Sequence, residues 1–191
     1  RVLREIVAIA REHDLFIISD EIYGNIVYGD EKFVPLSQVC GDVPCIAMKG
    51  LSKEIPWPGA RSGWIEFYNK ERDPSFARYA KTLVDAKMLE VCSTTLPQKV
   101  LPKIFSDARY TAYLTERTEV YKKRADMAYE IFSPLKGVTA PKPTGAFYMS
   151  VVFDEGVLNN TQKLRIDDPK AKHLIENMLT DIAPDKRFVY Y

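Results

Sequence analysis

Residues 50–64 read GLSKEIPWPGARSGW, and residues 15–23, upstream of them, read LFIISDEIY. The first stretch holds one lysine, Lys53, among small residues and prolines, with Arg61 eight positions further on. The second is a short apolar, β-branched run that ends on Asp20, with Tyr23 three residues later. A run of this length, bounded by Asp14 and Asp20, suits a parallel strand buried on both faces. CIAMKG (45–50), directly before the lysine loop, reads as a second strand and SGWIEFYN (62–69) as a third. Both loops therefore lie where strands leave a sheet, the edge at which α/β folds place their ligands.

Taken singly, an aspartate after a strand is most simply a turn or cap residue, and a loop lysine a solvated charge. Arg61 is less ordinary. Pro58 and Gly59 fix a turn before it and Gly63 leaves room beside it, which suits forked contact with a phosphate or carboxylate. The four together match the needs of pyridoxal phosphate chemistry. A lysine amine forms an imine with the aldehyde. A carboxylate at the pyridine nitrogen keeps the ring protonated and able to accept carbanion electrons. A tyrosine hydroxyl can bond the phenolic oxygen, and an arginine can clamp the phosphate.

The rest of the chain fits a soluble α/β protein. It has 191 residues, of which 46% are hydrophobic, enough for one large domain or two small ones. With 27 basic and 26 acidic residues there is no electrostatic case for nucleic acid or an anionic membrane. Cys40, Cys45 and Cys92 form no C-x-x-C pair and His13 and His173 are the only imidazoles, so reduced thiols are expected rather than a zinc site. No apolar run is long enough for a membrane span, and the charged start is no secretory signal. That start, RVLREIVAIAREHD, is an amphipathic helix without its N-cap. Helices are predicted from Pro74, through LPQKVLPKIFSD with a break or bend near Pro97 and Pro102, over 111–135, and over 168–182 behind an Asp168 cap. AFYMSVVF (146–153) is predicted as a strand, followed by a polar loop around Asn159 and Asn160. The terminal DKRFVYY reads as the start of a β-rich run. Both ends look cut, and the chain is expected to be a fragment.

In these segments the sequence resembles the class I and II aminotransferases, the fold-type I pyridoxal phosphate enzymes. Gly50, Leu51, Ser52, Lys53, Gly59, Arg61 and Gly63 fall in register with the family's lysine-site pattern. ISDEIYGNIVY matches its aspartate/tyrosine strand end, and APKPTGAFYMSV a strand of its small domain. DVPCIAMKGLSKEIPWPGARSGW looks most like the tyrosine and alanine aminotransferase branches. The resemblance implies residues 1–108 as part of the large cofactor-binding α/β/α domain, with a mostly parallel sheet, and 109–191 as part of the small α+β domain. It implies pyridoxal 5′-phosphate as cofactor, with Lys53 forming the internal aldimine and then moving a proton between the substrate α-carbon and the cofactor's C4′. Asp20 would partner the ring nitrogen, Tyr23 the phenolic oxygen and Arg61 the phosphate. Ser52 is either a further phosphate contact or a small residue the turn requires. Gly145, Phe147 and Tyr148 would shape the small domain rather than react.

Three departures stand out. Gly50 occupies a position where many relatives have a phosphate-binding serine, and Pro56 and Ser62 depart from the pattern around the arginine. The implied reaction is amino-group transfer between an L-amino acid, aromatic or alanine, and a 2-oxo acid, in a cytoplasmic homodimer. The alternatives are a carbon–sulfur lyase of the same fold, or a fragment without activity, since the family's NPTG-like segment, ring-stacking aromatic and carboxylate-binding arginine have no match here.

Overall fold

The computed structural model describes residues 1–30, 32–159 and 165–190, so Asn160 of the expected polar loop and Tyr191 lie outside the described residues. It forms two compact units, Arg1–Arg124 with Thr144–Phe147, and Ala125–Pro143 with Tyr148–Tyr191.

The first unit is built on a three-stranded sheet in the order β1 (Ile17–Asp20), β2 (Cys45–Gly50), β3 (Gly63–Tyr68). β1 pairs with β2 in parallel, Ile17 opposite Cys45 and Asp20 opposite Met48. β3 returns antiparallel, Cys45 opposite Tyr68 and Gly50 opposite Gly63. That last pair has no room for side chains. A Cβ on Gly63 would lie 2.9 Å from the Lys49 carbonyl oxygen, and one on Gly50 3.0 Å from that of Ser62 and 3.1 Å from Ile22 Cδ1.

Helices pack against this sheet. α1 (Val2–Glu12) buries Val7 and Ala10 in a core with Leu36, Cys40, Val43 and Cys45, against which Ile17, Val39 and Tyr68 pack. Burial pushes the Cys45 thiol up to about 12, helped by the neighbouring Cys40, which makes it an inert apolar filler. Phe16, one residue before β1, projects towards α2 (Pro74–Met88), its ring 5.3 Å from Phe76 and 5.6 Å from Tyr79. Asp73 caps α2 by accepting from Ser75 N at 2.7 Å, with Pro74 in the first turn where its missing N–H costs nothing. α3 (Thr95–Ser106) runs through both of its prolines: Pro97 lies in the first turn, and Pro102 is the one interior position that forfeits a backbone bond. The predicted break falls instead between α2 and α3. α4 (Tyr110–Phe132) contributes residues 110–124 to this unit and the rest to the other.

In the second unit β4 (Val138–Thr139) pairs antiparallel with β5 (Val152–Phe153), and Lys142 pairs with Asp126 at 3.4 Å. α5 (Pro169–Met178) starts on Asp168, which accepts from Lys170 N and Ala171 N at 2.8 and 2.9 Å. α6 (Pro184–Tyr190) ends the chain.

Three expectations are corrected. The terminal segment is helical rather than β-rich: Pro184 and Asp185 supply a helix start that outweighs the β propensity of the residues after them. The strand expected over 146–153 shrinks to Val152–Phe153, because Ala146 has a left-handed φ of 56° and cannot continue an extended run. β1 is not buried on both faces. It alternates half-buried and exposed, with Ile18 keeping 51% of its surface, as the outer strand of the described sheet.

Leu51, fully buried at the start of the lysine loop, is expected to matter most for that loop. Leu51→Ala should lower the unfolding free energy by about 2–4 kcal/mol in urea titration, whereas a loss under about 1 kcal/mol would mean that the loop is not seated on this side chain.

Candidate active site

The strand directions bring three chain segments to one edge of the sheet. β1 and β2 both end there and β3 begins there. Asp20 is the last residue of β1, Lys53 follows the end of β2 by three residues, and Arg61 precedes β3 by two.

Asp20 is exposed, and its Oδ1 accepts from Ile22 N at 3.1 Å. This is a turn formed by a side chain on its own backbone. It uses one of the several acceptor positions of a carboxylate and swings the chain round towards Tyr23. Two further backbone bonds, Gly24 N to Glu21 O at 2.9 Å and Ile26 N to Tyr23 O at 2.8 Å, complete the turn that carries the Tyr23 ring.

Lys53 is half-buried, with Nζ 5.8 Å from the Tyr23 ring centroid and 5.6 Å from that of Phe147. Those two rings meet edge to face at 5.3 Å, and the Tyr121 ring lies 5.6 Å from that of Phe147. An ammonium over aromatic faces is favoured by their quadrupoles. Phe147 reaches this place through backbone pairing. Ala146 N donates to Ile26 O at 2.7 Å, Tyr28 N to Thr144 O at 2.9 Å, and the Tyr28 hydroxyl to Gly145 O at 3.2 Å. Gly145 is required, since a Cβ would lie 2.9 Å from the Ile26 oxygen.

Ser52 is partly buried within the loop. Arg61 is exposed, in a left-handed conformation with φ 46° and ψ 42°; its Nη1 donates to Pro58 O at 2.9 Å, and its carbonyl accepts from Thr94 Oγ1 at 3.3 Å. The structure thus brings Lys53 and Tyr23 together. Asp20 and Arg61 share their sheet edge, each held by a local bond.

Beside this edge lies an ionic cluster that no local motif announced. Lys49 Nζ is 3.0 Å from Glu66 Oε2 and 3.7 Å from Oε2 of the buried Glu21, whose Oε1 accepts from Leu36 N at 2.7 Å. Trp64 Nε1 donates to Glu66 Oε1 at 3.0 Å, and the Tyr68 hydroxyl donates to Oε2. Burial alone would raise the Glu66 pKa, but the bonds from Tyr68, Lys49 and Trp64 hold it below the usual carboxylate range. Burial likewise opposes the charge on Lys49, and Glu66 and Glu21 outweigh it, raising its pKa. The β2–β3 register brings Lys49, Trp64, Glu66 and Tyr68 together and the β1–β2 pairing adds Glu21, so spacing along the sequence could not reveal them.

With the geometry in hand, similarity becomes decisive. The profile of the family "Aminotransferase class I and II" matches residues 1–182. The chain belongs to this family. It is 49% identical over 191 residues to an uncharacterized aminotransferase of Methanocaldococcus jannaschii, covering 100% of this chain and 44% of that protein. It is 34% identical over 149 residues to tyrosine aminotransferase of Caenorhabditis elegans, covering 78% of this chain and 32% of that one. Among solved structures, alanine aminotransferase from Pyrococcus furiosus superposes with a TM-score of 0.71 at 29% identity, over 93% of this chain and 42% of that one. The chain therefore spans less than half the length of these relatives. Its sheet and flanking helices are part of the α/β domain of fold-type I pyridoxal phosphate enzymes. No helix among the described residues is long and apolar enough to cross a membrane.

The Glu66 bonds predict a pH dependence. A carboxylate whose folded pKa is depressed stabilises the fold above its unfolded value and loses that contribution as pH falls through the folded one. Glu66→Gln should cost about 1–3 kcal/mol near neutrality, and its deficit against wild type should shrink below about pH 4. Urea midpoints measured from pH 7 to 3 check this; a deficit that stays constant with pH would remove the ionic role.

Proposed function

We propose that this aminotransferase uses pyridoxal 5′-phosphate to move an amino group between an L-amino acid and a 2-oxo acid. The observation that carries this reading is the half-buried Lys53 amine, held against the Tyr23 and Phe147 rings at the edge where β1 and β2 end. The donor set fits the cofactor: an amine, a carboxylate one strand away, a phenol beside the amine, and a guanidinium in a fixed turn. When bound, pyridoxal phosphate supplies an aldehyde that condenses with amines and a protonated ring that accepts the electrons of a carbanion.

The chain's own residues divide the remaining work. With the cofactor bound, Lys53 Nζ would be the amine that holds it and, once freed, the base that takes the proton from the substrate α-carbon. Asp20 would set a negative charge at the ring nitrogen, Tyr23 would donate to the phenolic oxygen, and Arg61 would hold the phosphate, with Ser52 as a further donor. Residues 1–108 belong in this reading to the large domain and 109–191 to the small one. Tyrosine aminotransferase of Caenorhabditis elegans and glutamate-pyruvate aminotransferase of Escherichia coli, the latter 29% identical over 169 residues, support an aromatic amino acid or alanine as amino donor. A cytoplasmic homodimer is the matching assembly and location.

Half-reactions with a panel of amino acids test the reading. Transamination converts the bound cofactor to its amine form and releases a 2-oxo acid; a carbon–sulfur lyase would release a thiol, ammonia and a 2-oxo acid and return the cofactor to its starting state. Lys53→Ala should lower kcat/KM at least about 10⁴-fold and Asp20→Asn about 10²–10³-fold. Turnover with Lys53→Ala near wild type would overturn the assignment.

A further inference from the structure

Glu54, the residue after Lys53, is tied to two other chain segments. Its Oε2 accepts from Asn25 Nδ2 at 2.7 Å, and its Oε1 accepts from the Tyr110 hydroxyl at 3.3 Å. Asn25 follows Tyr23 by two residues in the turn after β1, and Tyr110 opens α4. α4 grips the same turn a second time, because Thr118 Oγ1 donates to the Asn25 carbonyl at 3.2 Å. The carboxylate borders a cavity of about 290 Å³ with Glu21, Lys49, Trp64 and Tyr110. Burial, and then the adjacent Glu54 charge, push the Tyr110 phenol well above its ordinary value, so it stays protonated and remains a donor.

The Lys53 loop has few other constraints of its own. Its backbone bonds run from Leu51 N to Ser62 O at 3.1 Å and from Trp57 N to Leu51 O at 3.0 Å, which fix the ends of the loop rather than its middle. Lys53 and Glu54 lie in that middle. We propose that Glu54 is a positioning residue: its two bonds, to the Tyr23 turn and to α4, hold the Lys53 amine against the Tyr23 and Phe147 rings. This rests on the assignment of Lys53 as the cofactor lysine. Both carboxylate oxygens are committed to different elements, so the side chain acts as a strut between them and not as a reacting group. A displacement of about 1 Å at a reacting amine can cost up to about 10²-fold in rate, which is the scale on which such a strut acts.

The test compares two substitutions of similar size. Glu54→Leu fills the space but accepts no hydrogen bond. Glu54→Gln can still accept from Asn25 and can donate its amide N–H to the Tyr110 oxygen. In the cofactor-free enzyme two rates are read by peptide mass: capture of added pyridoxal phosphate at Lys53, trapped with borohydride, and modification of Lys53 by a small amine-reactive reagent relative to the exposed Lys99. Glu54→Leu should slow capture about tenfold and speed reagent modification of Lys53 about threefold, with Glu54→Gln within about threefold of wild type in both. Glu54→Leu within twofold of wild type, or Glu54→Gln as impaired as Glu54→Leu, overturns the strut. If wild-type Lys53 captures no cofactor, the functional assignment fails; the strut is then decided by the reagent rate alone, where a faster Glu54→Leu supports it and an unchanged one overturns it.

Discussion

The parallel pairing of β1 with β2 is the constraint from which the site follows. A parallel pair must end both strands at the same edge, and the antiparallel β3 must start there. Asp20, Lys53 and Arg61, spread over 42 positions of sequence, are thereby gathered without any of them having to reach. The tight Gly50–Gly63 pairing then sets how closely the lysine loop approaches the strand that follows the arginine. A side chain at Gly50 would press on Ser62, Ile22 and Gly63 at once, which gives the glycine there a steric reason.

The aromatic surroundings of Lys53 depend on a second, weaker constraint. Thr144–Phe147 pairs with Ile26–Tyr28 through an isolated bridge between Val27 and Gly145, and the left-handed Ala146 turns the Phe147 ring towards Lys53. A single bridge contributes far less than a sheet ladder, so this wall is the softer side of the site. The Glu54 strut and the Lys49–Glu66 cluster lie within the same unit and stiffen it by ionic and hydrogen-bonded contacts rather than apolar ones. In the role proposed for Lys53, the amine would need its resting place fixed to better than a bond length, and rigid polar ties meet that need.

Much of this was legible in the residues, for identifiable reasons. CIAMKG is a strand over its whole predicted length because an apolar run bounded by turn-formers has few other options. The lysine loop could be read because prolines and glycines mark turns directly, and the helix caps at Asp73 and Asp168 because capping is local. Phe147 was visible as an aromatic but not as a neighbour of a lysine 94 positions away (147 − 53), since only tertiary pairing brings them together. The Lys49–Glu66 and Glu54–Asn25 contacts were hidden for the same reason. The terminal helix is hard to read because RFVYY has β propensity, whereas its start signal, Pro184 followed by Asp185, lies just ahead of it.

If one sheet edge assembles a cofactor site around Lys53, a crystal structure of the protein grown with pyridoxal phosphate will show it. Continuous density is expected from Lys53 Nζ to the cofactor's aldehyde carbon, with the Asp20 carboxylate at the ring nitrogen and Arg61 turned from Pro58 to the phosphate. Cofactor bound elsewhere, or at this edge with Lys53 unlinked and Asp20 facing away, would contradict it.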